Sequence, residues 1–231
     1  MKKIIILCFL IISIKALSQQ KKIYVEYGVI IHDIKELRTS SSLMASVFEK
    51  AMFNAKFLSF GLIITTEGSK FYSQHQLSTD ISAWSAKSAE PFAGYTGIIY
   101  NLKDSLVCHS ALMDENIYHS KPIKTNWTLH NESKLIDGNL CYKATNIDRV
   151  VNSVGVFEHP VTAWYCPKLP YPYGPNGYGN LPGLILEIQI RHVLYGVKKI
   201  DLNTTNTFDT KFLKKATVLN EAAFLKALEK F

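Results

Sequence analysis

Seven histidines and four cysteines are the side chains here best suited to metal or nucleophilic chemistry. The histidines are His32, His75, His109, His119, His130, His159 and His192, and none stands in His-x-His or HExxH spacing. No Cys-x-x-Cys occurs either, so no compact metal-ligand set is present. A cysteine–histidine nucleophile pair stays open, because such partners meet in space and not along the chain. Glu158-His159 reads as a solvated surface pair. No Gly-x-Ser-x-Gly elbow exists. Gly174, Gly177 and Gly179 lack both the Walker lysine and the following helix that a phosphate cradle needs. The expectation is therefore no metal, no cofactor and no assigned catalytic residue.

The most distinctive stretch carries shape instead. Pro167, Pro170, Pro172 and Pro175 each fix φ and remove a backbone donor, which rules out a helix or a central strand. Between and around them lie Trp164, Tyr165, Tyr171, Tyr173 and Tyr178. Gly174, Gly177 and Gly179 permit tight turns. Pro182 and Gly183 suit the centre of a type II turn leading into a strand. A long strand is expected from Leu184 to Val197, with Glu187, Gln189 and Arg191 on a wet face. Leu186, Ile188, Ile190 and Leu194 share the other, with His192 among them as a hydrogen-bonded core histidine. The whole segment reads either as a rigid corner fixing strand register or as a binding edge, in which stiff loops present tyrosines with an apolar body and a polar tip.

Elements that must position this segment are mostly strands. Ile23, Val25, Tyr27, Val29 and Ile31 recur every second residue, the period of one strand face. Further strands are expected over Lys56–Thr66, Phe71–His75, Tyr95–Asn101, Ser105–Leu112, Tyr118–Pro122, Asn126–His130, Asn139–Asn146 and Val161–Cys166. Thr79–Gly94 reads as loop. Ser41–Ala55 reads as an amphipathic helix with Leu43, Met44, Val47, Phe48, Ala51 and Met52 inward. Asn220–Phe231 reads as a capped helix with Phe224, Leu225, Leu228 and Phe231 inward. Strands joined by turns, without β–α alternation, imply an antiparallel sheet. The fold class is thus mainly β (α+β): a large curled sheet forming an open half-barrel covered by one or two helices. A two-sheet sandwich is the alternative.

Lys2 and Lys3, the apolar run Ile4–Ile14 and Ala16-Leu17-Ser18 form the pattern of an export signal over residues 1–18. Residues 19–231 would then be a single β-rich domain, exported to the periplasm or the outer-membrane periphery. No later stretch is long and apolar enough to cross a membrane as a helix. The net charge of +7 falls to +4 without Lys2, Lys3 and Lys15, and the remaining lysines are scattered, so no nucleic-acid stripe is formed.

Ile136-Asp-Gly-Asn-Leu-Cys-Tyr-Lys-Ala144, Ala163-Trp-Tyr165, Gly174-Pro175 and Leu181-Pro-Gly-Leu-Ile185 together resemble the signature of the GLPGLI family of bacterial envelope proteins. Within and beside that signature, Pro170, Gly174, Pro175, Leu181, Pro182, Gly183, Leu184 and Ile185 form a structural motif that shapes the corner and the strand entry. Asn180 stands where the first glycine of the name-giving motif would be, a departure that implies a slightly different turn. The resemblance implies a secreted, β-rich protein of the Gram-negative envelope, encoded near TonB-dependent outer-membrane receptors. It brings no catalytic residues. Arg149–His159 is longer than the family's connection at this point and reads as a surface insertion. If the strands around Cys141 and Cys166 form a hairpin with its tip near Asn152-Ser153, Lys143 faces Trp164 and Cys141 faces Cys166. A disulfide between them is then within reach; two reduced thiols, or Cys108 as a partner, are the alternatives.

Three functions remain. A curled sheet with a tyrosine–proline loop suits a binding or carrier protein for a small apolar ligand or peptide. The same loop or a sheet edge suits an interaction module docking on an outer-membrane protein. A dispersed hydrolase or metalloenzyme site is the third.

Overall fold

The structure is a computed structural model that describes residues 22–74, 86–103, 105–110, 113–152 and 155–228. The leader read over residues 1–18 lies outside the described residues, as do residues 79–85 of the Thr79–Gly94 loop.

Among the described residues, twelve strands form one sheet. In chain order they are β1 (Ile23–Ile31), β2 (Ser59–Thr65), β3 (Gly68–Ser73), β4 (Gly97–Leu102), β5 (Ser105–Ser110), β6 (Ile117–Lys121), β7 (Thr128–Ile136), β8 (Asn139–Asn152), β9 (Gly155–Cys166), β10 (Leu184–Ile190), β11 (Val193–Asp201) and β12 (Thr217–Leu219). Their spatial order is β12-β6-β5-β4-β3-β2-β1-β11-β10-β9-β8-β7. Every pairing is antiparallel except that of β12 with β6. The expected antiparallel sheet is therefore observed as one open sheet and not as a sandwich.

Simple reach shows that the sheet curls. β6 and β7 are consecutive in the chain, yet they stand second and twelfth in the sheet. Laid flat, at about 4.8 Å per strand, they would be roughly 48 Å apart. The link from Lys121 to Thr128 spans at most about 25 Å when fully extended. The sheet must bend until its two flanks approach each other. Lys124, on that link, is ion-paired with Asp148 of β8 at 2.6 Å.

The core lines the inside of this curl. Tyr27 and Tyr195 are fully buried, and each phenol has an acceptor: Tyr27 Oη donates to Ile185 O at 2.6 Å and Tyr195 Oη to Ala93 O at 2.7 Å. Helix α1 (Lys35–Ser40) leads into α2 (Ser42–Asn54), capped by Ser41, whose Oγ accepts from the Met44 N–H at 3.2 Å. Only Phe48 and Ala51 of α2 are buried. Leu43, Met44 and Val47, expected inward, face solvent. Helix α3 (Glu221–Leu228) is capped by the Asn220 side chain, which accepts from the Ala223 N–H at 2.9 Å. It turns Phe224 onto His119 and leaves Leu225, expected inward, exposed; residues 229–231 of the expected helix lie outside the described residues.

Two boundaries differ from expectation. Arg149–His159 is not an inserted loop: β8 and β9 run on as one long hairpin to Asn152 and Gly155. Leu184–Val197 is not one strand either. The chain reverses at Arg191, which takes the left-handed conformation (φ 55°), and β10 pairs with β11. His192 therefore lies in a turn and not on a strand face.

Candidate functional site: the recess beside the proline–tyrosine segment

The segment from Pro167 to Gly183 is tied down by backbone hydrogen bonds that its non-proline residues supply. Leu169 N–H donates to Cys166 O, Leu184 N–H to Leu169 O at 2.8 Å, Ile185 N–H to Tyr173 O at 3.0 Å and Asn180 N–H to Pro172 O at 2.9 Å. The Trp127 indole donates to Gly179 O at 2.9 Å. Asn176 and Asn180 adopt left-handed φ of 54° and 61°, conformations that asparagine tolerates better than other side chains do. Asn180 thus performs at its position the backbone role a glycine would.

The type II turn around Pro182 and Gly183 is absent. Gly183 N–H instead donates back to Leu181 O at 2.7 Å, closing a tighter three-residue turn. Glycine is required for a packing reason: a Cβ there would stand 2.2 Å from Cys166 O. With the segment folded over it, β10 begins buried on both faces, from Leu184 through Ile185 to Leu186. The single wet face expected for this strand develops only from Glu187 onward.

The aromatic set divides between core and surface. Tyr165 and Tyr178 are buried, and burial pushes both phenols up. Tyr171, Tyr173 and Trp164 are half-buried against the core. Trp164 lies on the opposite sheet face from Tyr165, with Lys134 Nζ 4.5 Å from its ring centroid and Lys134 itself paired with Glu187 at 2.6 Å. Pro170 is exposed, whereas Gly174, Pro175 and Leu181 are buried. The five aromatics do not converge on one opening.

The opening lies beside the segment. A recess of about 330 Å³ is bounded by Leu37, Phe92, Ala93, Ile190, His192 and Val193, with Gly94, Asn176 and the charged Arg191 also in its lining. Its walls come from α1, the stretch before β4 and the β10–β11 turn. The His192 ring contacts Phe92 O at 3.2 Å and packs against Phe48 in a T-shaped arrangement, 6.4 Å between centroids. Burial lowers its basicity, so it serves as a neutral wall. Asn176 Nδ2 donates to Gly94 O at 3.2 Å, and beyond that bond a second recess of about 230 Å³ opens towards Lys121, Lys124 and Arg149. Sequence reasoning did not find Leu37, Phe92 or Ile190 as a group, because nothing in their spacing links them.

Cys141 and Cys166 are fully buried, adjacent and free, a placement that follows from Lys143 pairing with Trp164 and Tyr142 with Tyr165. Burial, then the neighbouring Cys166, pushes the Cys141 thiol up to about 12. Cys108 sits apart on β5, facing His119 of β6. No group of three or more metal-ligating side chains is found among the described residues. The six histidines among the described residues are likewise not brought together as one site, and His75 lies outside those residues.

The fold and recess define a class, an open curled antiparallel sheet crossed by a proline-rich strap. Comparison with known proteins sharpens it only part of the way. A family model described as "Protein of unknown function (Porph_ging)" matches residues 154–187, which run from the β8–β9 hairpin tip through the whole strap. This is the stretch that carries most of the GLPGLI resemblance. Two solved structures of PNGF-II are similar in fold. The P21 crystal form has a TM-score of 0.56 at 12% identity, covering 91% of this chain and 33% of that one. The C2 form has a TM-score of 0.54 at 13% identity, covering 90% and 32%. This chain thus spans about a third of the length of those structures, and the likeness is one of fold. The search of curated proteins gave no match.

Proposed function

We propose that this is an exported binding protein of the cell envelope that takes a small apolar ligand or peptide in the recess bounded by Leu37, Phe92, Ile190 and Val193. The observation that carries the reading is the recess itself, about 330 Å³ and walled mainly by apolar side chains. That lies at the small end of ligand pockets, which run to roughly 300–1,000 Å³. The strap supports it by pinning Asn176 and Gly94, so the walls are preformed and little order has to be acquired on binding. The test is titration with the neutral fluorophore N-phenyl-1-naphthylamine. Saturable one-to-one binding is expected, weakened at least tenfold when Leu37→Trp fills the recess. No saturation, or equal binding by the variant, would count against the reading.

A second reading, docking on an outer-membrane protein, draws on the edge strand β7. It pairs with β8 alone and exposes Leu129 and Leu135. Such an edge can add a partner's strand. A photocrosslinker at Leu135 should then trap one dominant envelope protein in cells; a diffuse set of products would argue against it.

A further inference from the structure

The second recess bears on what kind of ligand the first would take. Gly94 and Asn176 are in both linings, so the two recesses adjoin. Their chemistry differs. The first has mainly aliphatic and aromatic walls. The second has Ile99 and Leu106 in its lining, and three cations converge there from separate parts of the chain: Lys121 at the end of β6, Lys124 on the β6–β7 link and Arg149 on β8. Sequence separation does not explain this convergence. It arises because the curl brings β6 and β8 to the same mouth.

The charges around it are unevenly matched. Lys124 is paired with Asp148 at 2.6 Å, and Asp148 also faces Arg191 at 3.7 Å. Glu221, at the start of α3, is the one carboxylate in the lining. No ion pair joins Lys121 or Arg149 to a carboxylate among the described residues. Like charges held beside an apolar floor repel each other more than they would in open water, and the field they set up attracts an anion. Arg149 adds a planar fork that matches a carboxylate or phosphate.

We infer that the ligand is an anionic amphiphile, with its apolar part in the first recess and its carboxylate or phosphate head between Lys121, Lys124 and Arg149. This rests on the binding reading above and narrows it to a chemical class.

The experiment compares dodecanoate, 1-dodecanol and acetate by displacement of N-phenyl-1-naphthylamine and by calorimetry. The proteins are the wild type and the double variant Lys121→Met, Arg149→Gln, which keeps most of each stem. Dodecanoate should bind at least tenfold more tightly than dodecanol, and acetate should not compete. In the double variant, dodecanoate should fall to the dodecanol value while dodecanol is unchanged. Raising sodium chloride from 0.05 to 0.5 M should weaken dodecanoate alone in the wild type, a measurement that needs no variant. Equal binding of dodecanoate and dodecanol would overturn the head-group assignment and leave the binding reading standing. Binding of neither would overturn both. Acetate competing as well as dodecanoate would make this a site for a free anion and refute the amphiphile.

Discussion

Replacing His119 by phenylalanine should flatten the acid side of the protein's stability curve. His119 is 2% exposed, and neither ring nitrogen has a hydrogen-bond partner. Its ring stacks on Phe224 of α3 at 3.7 Å between centroids. Cys108 faces it from β5, Leu219 pairs with it from β12, and Lys121 is the cation that bears on it. Loss of hydration, with Lys121 second, drives its pKa from the ordinary 6.5 down to about 4. The folded state therefore refuses a proton that the unfolded chain accepts. Stability present above pH 6.5 is lost as the pH falls, and the loss levels off below about 4. At about 1.4 kcal/mol per pH unit the full effect is about 3 kcal/mol, of which about 2 kcal/mol is lost by pH 5. Phenylalanine keeps the stack on Phe224 and removes the titration. Urea unfolding from pH 7 to pH 4.5 should show wild type falling by about 2.4 kcal/mol relative to His119→Phe, and parallel curves would refute the reasoning. If α3 lifts away before the rest unfolds, the wild type shows a smaller fall, accompanied by early loss of hydrogen-exchange protection in residues 221–228.

Gly183→Ala should cost at least about 2 kcal/mol, because its Cβ meets Cys166 O at 2.2 Å and neither backbone can yield without disturbing the strap; a urea midpoint within error of wild type would contradict this. Oxidised glutathione should join Cys141 to Cys166 and leave Cys108 free, each new bond forming with reduction of one glutathione disulfide to two thiols. Peptide mapping reads the pairing, and the bridge should add about 3 kcal/mol of stability. A bridge from either of them to Cys108 would refute this pairing.

Local patterns were legible where a single element settles them. The alternation from Ile23 to Ile31 is a strand because its side chains repeat at the strand period, and β1 occupies those residues. The pairing of Lys143 with Trp164 could be counted from one hairpin tip. The reversal at Arg191 was not legible. Apolar residues continue on both sides of it, and an arginine, not a glycine or asparagine, takes the left-handed turn. The outer half of the β8–β9 hairpin was equally hidden, because its residues pair along the ladder without an apolar alternation to mark them. The inward stripe of α2 was overcounted, since helical spacing says which residues share a face but not how much of that face a curved sheet covers.

The recesses belong wholly to the tertiary structure. Leu37, Phe92 and Ile190 come from distant stretches, as do Lys121 and Arg149, and no periodicity relates them. By itself the sequence determined the kinds of element and the stiffness of the strap, because φ restrictions at proline and side-chain alternation act within a few residues. Which side chains meet at the mouth was decided when a short link forced the two flanks of a twelve-stranded sheet together, a constraint that exists only once every strand is in place.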